Sequence, residues 1–544
     1  MRDGITLSTD VALPADTGRW PAVLMRTPYN KVLENSHSAH LLELLLASGY
    51  AVVTQDVRGR FNSDGEFVPY MFEAPDGHDA VQWVASQPWC DGTVAMLGTS
   101  YVGQTCWLAA REAPPALKAI VPICSPPDLF FNEPILNGMF LLDACSDWMY
   151  KMGRRSFQVS DFLNDVLTGE HYPFMDALPI ADVPEMARTS STWWQSFMDH
   201  PALDEFWKQG SYQSRWQNMT VAALNITGWW DMNFPGAIFN YPGMQTQGPP
   251  GVRASQRLVI GPWPHRVNWS STVSGIDYGA DALIDLDSYI VRYLNWHMKG
   301  EADSLEGDKP VHIFVLGANE WWAESDWPLP DTQYVPYYFH SEGFANTDRG
   351  DGELSSTPPL AEEPADRYQY DPHDPVRFSW AMTDGPVDDR PATSRQDVVC
   401  YTTDRATEPL DVVGPVSVVL FAASSAPDTD WHARLTDVWP DGSACFLCHG
   451  GIRARFRNSF EHPELMSPDT VYRFDFRLDA CGLRLLPGHR LRVEVTSSWF
   501  PRYERNLNTG ASNPFRDQGY EVAAQRILHT AEFPSHVVLP IIHR

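Results

Sequence analysis

Basic residues are scarce in this 544-residue sequence: 40 Lys and Arg stand against 69 Asp and Glu, a formal net charge of −29. A surface that anionic repels phosphate backbones and anionic lipid headgroups, which argues against nucleic-acid and membrane partners. Long apolar runs are missing as well. The densest early stretch, Leu41 to Leu46, falls far short of the roughly 20 residues a membrane span needs. Met1-Arg2-Asp3-Gly4 leads into an alternating segment and not an apolar signal core, so a cytoplasmic protein is expected. Cysteine is sparse: Cys90, Cys106, Cys124, Cys145, Cys400, Cys445, Cys448 and Cys481 are too few for a disulfide scaffold and read as buried thiols. Cys445-Phe446-Leu447-Cys448-His449 spells the c-type haem attachment string, and Cys-x-x-Cys also serves zinc and redox sites. No second Cys or His pair stands nearby at zinc spacing, however, and the flanks read as strands and turns. Neither a tandem repeat nor a low-complexity tract is seen.

Apolar and aromatic material, by contrast, is plentiful. Hydrophobic residues make up 43% and aromatics 12%, with 21 Trp, ample for packed cores and far from a disordered composition. Single cores hold on the order of 100–200 residues, so two or three packed units are expected. In the first third, short apolar runs suited to buried parallel strands (Ala22 to Met25, Ala51 to Thr54, Thr93 to Leu97, Lys118 to Pro122) alternate with helical spacing over Ser36 to Ser48, Asp76 to Ser86 and Gln104 to Arg111. From about Pro126 to Gln217 the strand signal stops, and a Met-, Phe- and Trp-rich text with helical spacing reads as an inserted cap. Strand character returns at Val221 to Ile226 and Leu258 to Ile260, as the same sheet resuming after the insertion. A Pro-, Asp- and Gly-rich stretch, Ser325 to Gln396, precedes short strand candidates at Pro415 to Phe421, Val471 to Leu478 and Leu491 to Val495, the pattern of a β-sandwich or jelly roll. The fold class expected is therefore an α/β domain over 1–125 and 218–330, a helical cap over 126–217 and an all-β jelly-roll domain over 331–544.

The chemistry sits at strand ends. Gly98-Thr99-Ser100-Tyr101-Val102-Gly103 stands where a strand hands over to a helix, the place at which a sharp turn lifts a serine hydroxyl clear of the sheet. A serine hydroxyl is a poor nucleophile without a base and a carboxylate to orient that base. Both follow: Asp231 after Gly228-Trp229-Trp230, and His265 in Gly261-Pro262-Trp263-Pro264-His265. The order Ser, acid, His is that of α/β hydrolases. Taken singly, Asp231 reads equally well as a helix cap and His265 as a satisfied loop histidine; three strand-end residues in the right order are far more specific. For the oxyanion, the Tyr101 N–H is one donor and the Tyr29 hydroxyl, in Arg26-Thr27-Pro28-Tyr29, a second. The alternative for Tyr29 is a packing role.

Together these strings resemble the cocaine-esterase-like branch of the X-prolyl dipeptidyl-peptidase (S15) hydrolases, which includes α-amino-acid ester hydrolases and glutaryl-cephalosporin acylases. The resemblance rests on Arg2-Asp3-Gly4, Arg26-Thr27-Pro28-Tyr29, Gln55-Asp56-Val57-Arg58-Gly59 and the Ser100, Asp231 and His265 motifs. It continues through Pro427-Asp428-Thr429-Asp430, Gly451-Ile452-Arg453-Ala454-Arg455, Gly488-His489-Arg490 and Asn506-Leu507-Asn508-Thr509-Gly510, nearly the whole chain. It implies a discontinuous α/β-hydrolase domain, a helical cap and a jelly roll, with Ser100 as nucleophile, His265 as base, Asp231 as its orienter, and Tyr29 and Tyr101 in the oxyanion hole. Asp56 and Arg58 are expected to brace the strand end beneath the site. Because the chain opens almost on Arg2-Asp3-Gly4, either a lead-in segment lies upstream or an edge strand is missing.

The expected reaction is acyl transfer from an ester or amide to water, with no metal or cofactor and a small-molecule acyl substrate. Trp193, Trp194, Phe206, Trp229 and Trp230 suggest an apolar pocket, though cap packing explains each equally well. The alternatives are an X-Pro dipeptidyl-peptidase or an aminoacyl-ester or β-lactam acylase, which need an anionic pocket for a free amine, and, from another class, a binding protein using its jelly roll. The carboxylate cluster that binds the substrate ammonium in α-amino-acid ester hydrolases has no position assignable from the sequence. Acyl transfer to an alcohol or amine uses the same residues, and a homo-oligomer is plausible from the edges of a jelly roll.

Overall fold

The computed structural model describes residues 1–156, 173–301, 305, 307–360, 362–378, 385, 386, 388 and 390–544. Nine strands form the first sheet: β1 (Thr9–Ala12), β2 (Trp20–Thr27), β3 (Ala51–Asp56), β4 (Cys90–Thr99), β5 (Leu117–Ile123), β6 (Ala222–Gly228), β7 (Arg257–Gly261), β8 (Val311–Val315) and β9 (Glu320–Glu324). Their spatial order is β1-β3-β2-β4-β5-β6-β7-β8-β9. The seven inner strands run parallel, and β1 and β9 close the edges antiparallel.

Both faces are covered, which is why the strands read as unbroken apolar runs and not as alternating ones. Ala22 and Leu24 of β2 point into one core with helices α3 (Glu73–Ala85) and α4 (Tyr101–Arg111). Val23 and Met25 point into another with α2 (Ala39–Ala47) and α7 (Leu286–Lys299). Ahead of α2, helix α1 (Lys31–His37) follows β2 directly. Between β5 and β6 the chain leaves the sheet for the helical cap, which holds α5 (Leu142–Met152) and several shorter turns; its 157–172 stretch lies outside the described residues. Helix α6 (Phe234–Gln247) follows β6.

The C-terminal part is an all-β body around an eleven-stranded sheet. The Pro-, Asp- and Gly-rich stretch is not a featureless connection, since Gln333–His340, Glu353–Ser355 and Asp366–Tyr370 are strands of that sheet. Gln333–His340 pairs with His536–Ile542 near the end of the chain, a partner about 200 residues away that local patterning cannot show. Cys445 and Cys448 lie in one strand, Ala444–Arg453, and neither is in a disulfide. The signature residues of this body form a buried ionic cluster. Arg453 pairs with Asp430 (2.8 Å) and Glu504 (2.5 Å), Arg455 pairs with Asp428 (2.8 Å), and Asn506 Nδ2 donates to both aspartates (3.0 and 2.8 Å). The cap is tied to this body by Leu142 N–H on the Arg502 carbonyl and Glu504 N–H on the Phe140 carbonyl (3.0 and 2.9 Å).

Candidate active site

Ser100 sits between the last residue of β4 and the first of α4, with φ 62° and ψ −126°. A side chain in that region costs on the order of 1–3 kcal/mol and persists only where its surroundings hold it. Here Ser100 N–H donates to the Ile123 carbonyl (2.8 Å) and Gln104 N–H to the Ser100 carbonyl (3.0 Å). The flanking glycines are there for close approach: a Cβ on Gly98 would stand 2.0 Å from Val102 Cγ1, and one on Gly103 would stand 2.9 Å from the Gly98 carbonyl.

Asp231 and His265 follow β6 and β7, which are neighbours in the sheet. Their loops are knitted together. Trp229 N–H donates to the Gly261 carbonyl (2.9 Å) and Trp230 N–H to the Trp263 carbonyl (3.1 Å). Gly228 lies so close to Trp263 that a Cβ would meet its carbonyl oxygen at 2.0 Å. Asp231 is fully buried and saturated with donors: Thr227 Oγ1 on Oδ2 (2.8 Å), Asn233 N–H on Oδ1 (3.0 Å), and His265 Nδ1 at 2.7 Å from Oδ1. Burial pushes this carboxyl up, but the His265 ring and the hydrogen bonds outweigh it and hold the group below the usual carboxylate range. An ionised Asp231 fixes the proton on Nδ1 and turns Nε2 to the other side of the ring.

Tyr29 ends the β2 turn. Its hydroxyl accepts from Trp148 Nε1 of α5 (3.3 Å) and is also in hydrogen-bonding contact with Ser100. Burial first, and Glu133 nearby, keep the phenol well above its ordinary pKa, so it stays an O–H donor. Arg60 braces the turn by donating to the Pro28 carbonyl (2.9 Å). The Tyr101 ring stacks on Trp148 (5.8 Å between centroids) and is anchored there: its hydroxyl donates to Glu73 (2.8 Å), which also takes the Arg26 guanidinium (2.6 Å). That anchor locks the residue whose backbone N–H follows the nucleophile. Arg58 pairs with Asp76 and Asp3 (2.6 and 2.7 Å), while Asp56 accepts from Lys31 N–H (2.8 Å). These two residues therefore brace the strand end through separate partners and not through each other.

Two residues near the triad were not legible in the sequence. Glu133, in the cap, is near enough for His265 to lower its pKa and for Asp231 to raise it, although burial is the larger influence and the net shift is upward. Among the described residues no hydrogen bond or ion pair reaches its carboxylate. Cys124, at the end of β5, donates its thiol to the His265 carbonyl (3.7 Å). Among the described residues Cys124, Asp231 and His265 form one group whose ligand-type atoms lie within 4.8 Å of each other. Thiolate, carboxylate and imidazole suit a zinc-like ion, yet binding one would take Asp231 off His265.

Of the five aromatics expected to line an acyl pocket, Trp193 is one ring removed from the site, its centroid 5.4 Å from that of Trp148. The other four make their ring contacts elsewhere: Trp194 on Phe140 (5.3 Å), Phe206 on His200 (4.2 Å), Trp229 on Phe234 (5.2 Å), and Trp230 on the wall of a separate cavity with Tyr278. A large aromatic side chain signals burial before it signals ligand contact. No helix among the described residues is long and apolar enough to cross a membrane.

Residues 3–267 match the family model described as X-Pro dipeptidyl-peptidase (S15 family), and residues 304–538 match the X-Pro dipeptidyl-peptidase C-terminal non-catalytic domain. The chain is 38% identical to the cocaine esterase of Rhodococcus sp. (strain MB1 Bresler), covering 100% of this chain and 97% of that protein. Two solved structures are similar over the full length. One is an aminopeptidase from a marine sediment Thaumarchaeota archaeon (TM-score 0.85, 27% identity, 100% of this chain and 95% of the other). The other is an α-amino acid ester hydrolase (TM-score 0.82, 26% identity, 99% and 95%).

Proposed function

We propose that the chain, which belongs to the X-Pro dipeptidyl-peptidase (S15) family in its cocaine-esterase-like branch, performs its reaction through Ser100, His265 and Asp231. It is a serine hydrolase of carboxylic esters. In the mechanism we infer, Ser100 Oγ attacks the acyl carbonyl, His265 Nε2 takes its proton and passes it to the leaving alcohol, and water then attacks the acyl-enzyme with His265 again as base. The Tyr29 hydroxyl and Tyr101 N–H receive the oxyanion. The observation that carries this reading is the buried, ionised Asp231 holding His265 Nδ1 at 2.7 Å, on strand ends of the same sheet that carries Ser100 in a strained turn. We infer a cytoplasmic setting from the free thiols at all eight cysteines.

The test is mass spectrometry after fluorophosphonate treatment. An adduct on Ser100, lost in folded His265→Ala, is expected; an unmodified Ser100 in folded protein sinks the assignment.

Glu133 favours a second reading, an acylase or peptidase acting on substrates with a free amine. Its unpaired carboxylate near His265 is what an ammonium group would seek. A hydrogen bond to a charged group contributes about 1.5–3 kcal/mol, so a free α-amine should raise kcat/KM about 10- to 100-fold over its N-acetyl analogue. Glu133→Gln should erase that preference; an equal preference in the variant, or none in the wild type, rejects this reading.

A further inference from the structure

Away from the triad, a cavity of about 740 Å³ opens where α6, the cap and the all-β body meet, and none of Ser100, Asp231 and His265 lines it. Its size is that of a small-molecule site. Six aromatic residues line it from all three parts: Phe131 and Trp216 from the cap, Phe239 from α6, and Tyr334, Phe460 and Phe476 from the β body. Among them stands Asp479.

The backbone puts Asp479 there deliberately. Strands Leu410–Ser424 and Tyr472–Leu485 pair with Pro415 opposite Ala480 and Ser417 opposite Arg477, so Val416 faces two residues, Leu478 and Asp479. This is a β-bulge, a device that re-aims a side chain, and it holds Asp479 at φ 60°. No hydrogen bond or ion pair reaches its carboxylate among the described residues. Burial raises it to about 7, with Arg502 and Arg477 pulling the other way through space. Arg477, the cation among the lining residues, lies over the Phe239 ring, 5.2 Å from its centroid. The indole N–H of Trp216 is likewise buried without an acceptor.

A half-buried carboxylate with no partner, ringed by aromatic faces, is costly when empty and complementary to one class of ligand. We propose that this cavity is a second binding site, distinct from the acyl site, and that it takes an aryl-substituted organic ammonium whose cation pairs with Asp479 while its ring packs among Phe239, Phe476 and Trp216. Because the walls come from three parts of the molecule, an occupant would hold the cap and α6 to the β body.

The test is isothermal titration of the full chain with benzyltrimethylammonium, which has no acyl group to hydrolyse. Saturable one-to-one binding is expected at pH 8 in the Glu133→Gln background, where the carboxylate near His265 cannot take the cation, at least 10-fold weaker when Asp479→Asn is added, and weaker at pH 6 as Asp479 takes up a proton. Undiminished binding when Asp479→Asn is added, or no saturable binding in the Glu133→Gln background, overturns the proposal. Should the doubly substituted protein melt differently from Glu133→Gln, the Glu133→Gln pH series decides: affinity that does not fall between pH 8 and pH 6 also overturns it.

Discussion

Replacing Tyr29 by Phe removes one oxygen and tests the oxyanion site directly. The hydroxyl contacts Ser100, and burial keeps it protonated at every working pH. Its one long bond from Trp148, 3.3 Å, uses an acceptor lone pair and leaves the proton available. An oxyanion donor of this kind contributes about 2.7–4 kcal/mol, or 10²- to 10³-fold in kcat. The Tyr101 N–H accounts for what remains. Steady-state hydrolysis of p-nitrophenyl butyrate by Tyr29→Phe should therefore show kcat down by about 10²- to 10³-fold with KM within a few-fold, because the bond strengthens only as charge develops. Trp148→Phe, which alters the support and not the donor, should cost about 10-fold or less. If Tyr29→Phe, with an unchanged circular-dichroism spectrum, turns over within about 3-fold of the wild type, Tyr29 is a packing residue and the oxyanion must be held elsewhere.

Other perturbations separate strain, geometry and burial. Ser100→Ala should lose several orders of magnitude in turnover, while Ser100→Gly, equally inactive, should be more stable than Ser100→Ala by about 1 kcal/mol in denaturant melts because glycine accepts φ 62° without strain; equal midpoints would mean the turn stores nothing. Gly228→Ala should drive the Trp263 carbonyl away, since its Cβ would lie 2.0 Å from that oxygen. Displacing His265 from Asp231 in this way should lower kcat by about 10²-fold, and a variant of unaltered kcat would refute the knitted-loop account. In the β body His432 is pushed down to about 3 by burial, and burial likewise holds His449 far below its ordinary value. Depressed histidines bind protons more readily when unfolded, so stability is whole above about pH 6.5 and falls as pH drops below it, by about 2 kcal/mol at pH 5 from His432, with His449 adding in the same direction. Urea midpoints measured from pH 7.5 to 5 should show this fall, shallower in His449→Gln; a flat profile would contradict it.

The Ser100 turn and the Asp231–His265 pair were legible because each residue stands in its own short string beside a strand, and because local apolar runs report the strands that carry them. The glycines in those strings prove to be sites of close approach, at Gly98 against Val102 and Gly228 against Trp263. Motif reading can locate such residues, but not say which contact requires them. Glu133 was hidden for the opposite reason. It comes from the cap, where no strand periodicity orders the chain, and its importance lies in a distance to His265 that only the fold creates. Of the two roles the sequence left open for the aromatics, Trp194 and Trp229 have packing contacts, donating their indole N–H groups to the carbonyls of Ile180 and Phe314 (3.2 and 2.6 Å). The tyrosine- and proline-bearing strand Gln333–His340 was missed because its partner lies at the far end of the sequence.

Glu133 sets a constraint on catalysis that the triad alone does not. Its charge raises the pKa of the Tyr29 phenol and is felt at His265 and Asp231, so it acts on the groups through which an oxyanion would form and be stabilised. An ionised Glu133 stabilises the imidazolium that His265 becomes, but it opposes negative charge growing on the acyl oxygen near Tyr29. With a neutral ester these effects compete, and the protonated form that burial favours in Glu133 relieves the second. An ammonium on the acyl part changes the sum: it pairs with Glu133, keeps it ionised, and screens the oxyanion from it. On the second reading proposed above, this half-buried carboxylate penalises one substrate class and recruits the other, so substrate charge is the variable that tests it.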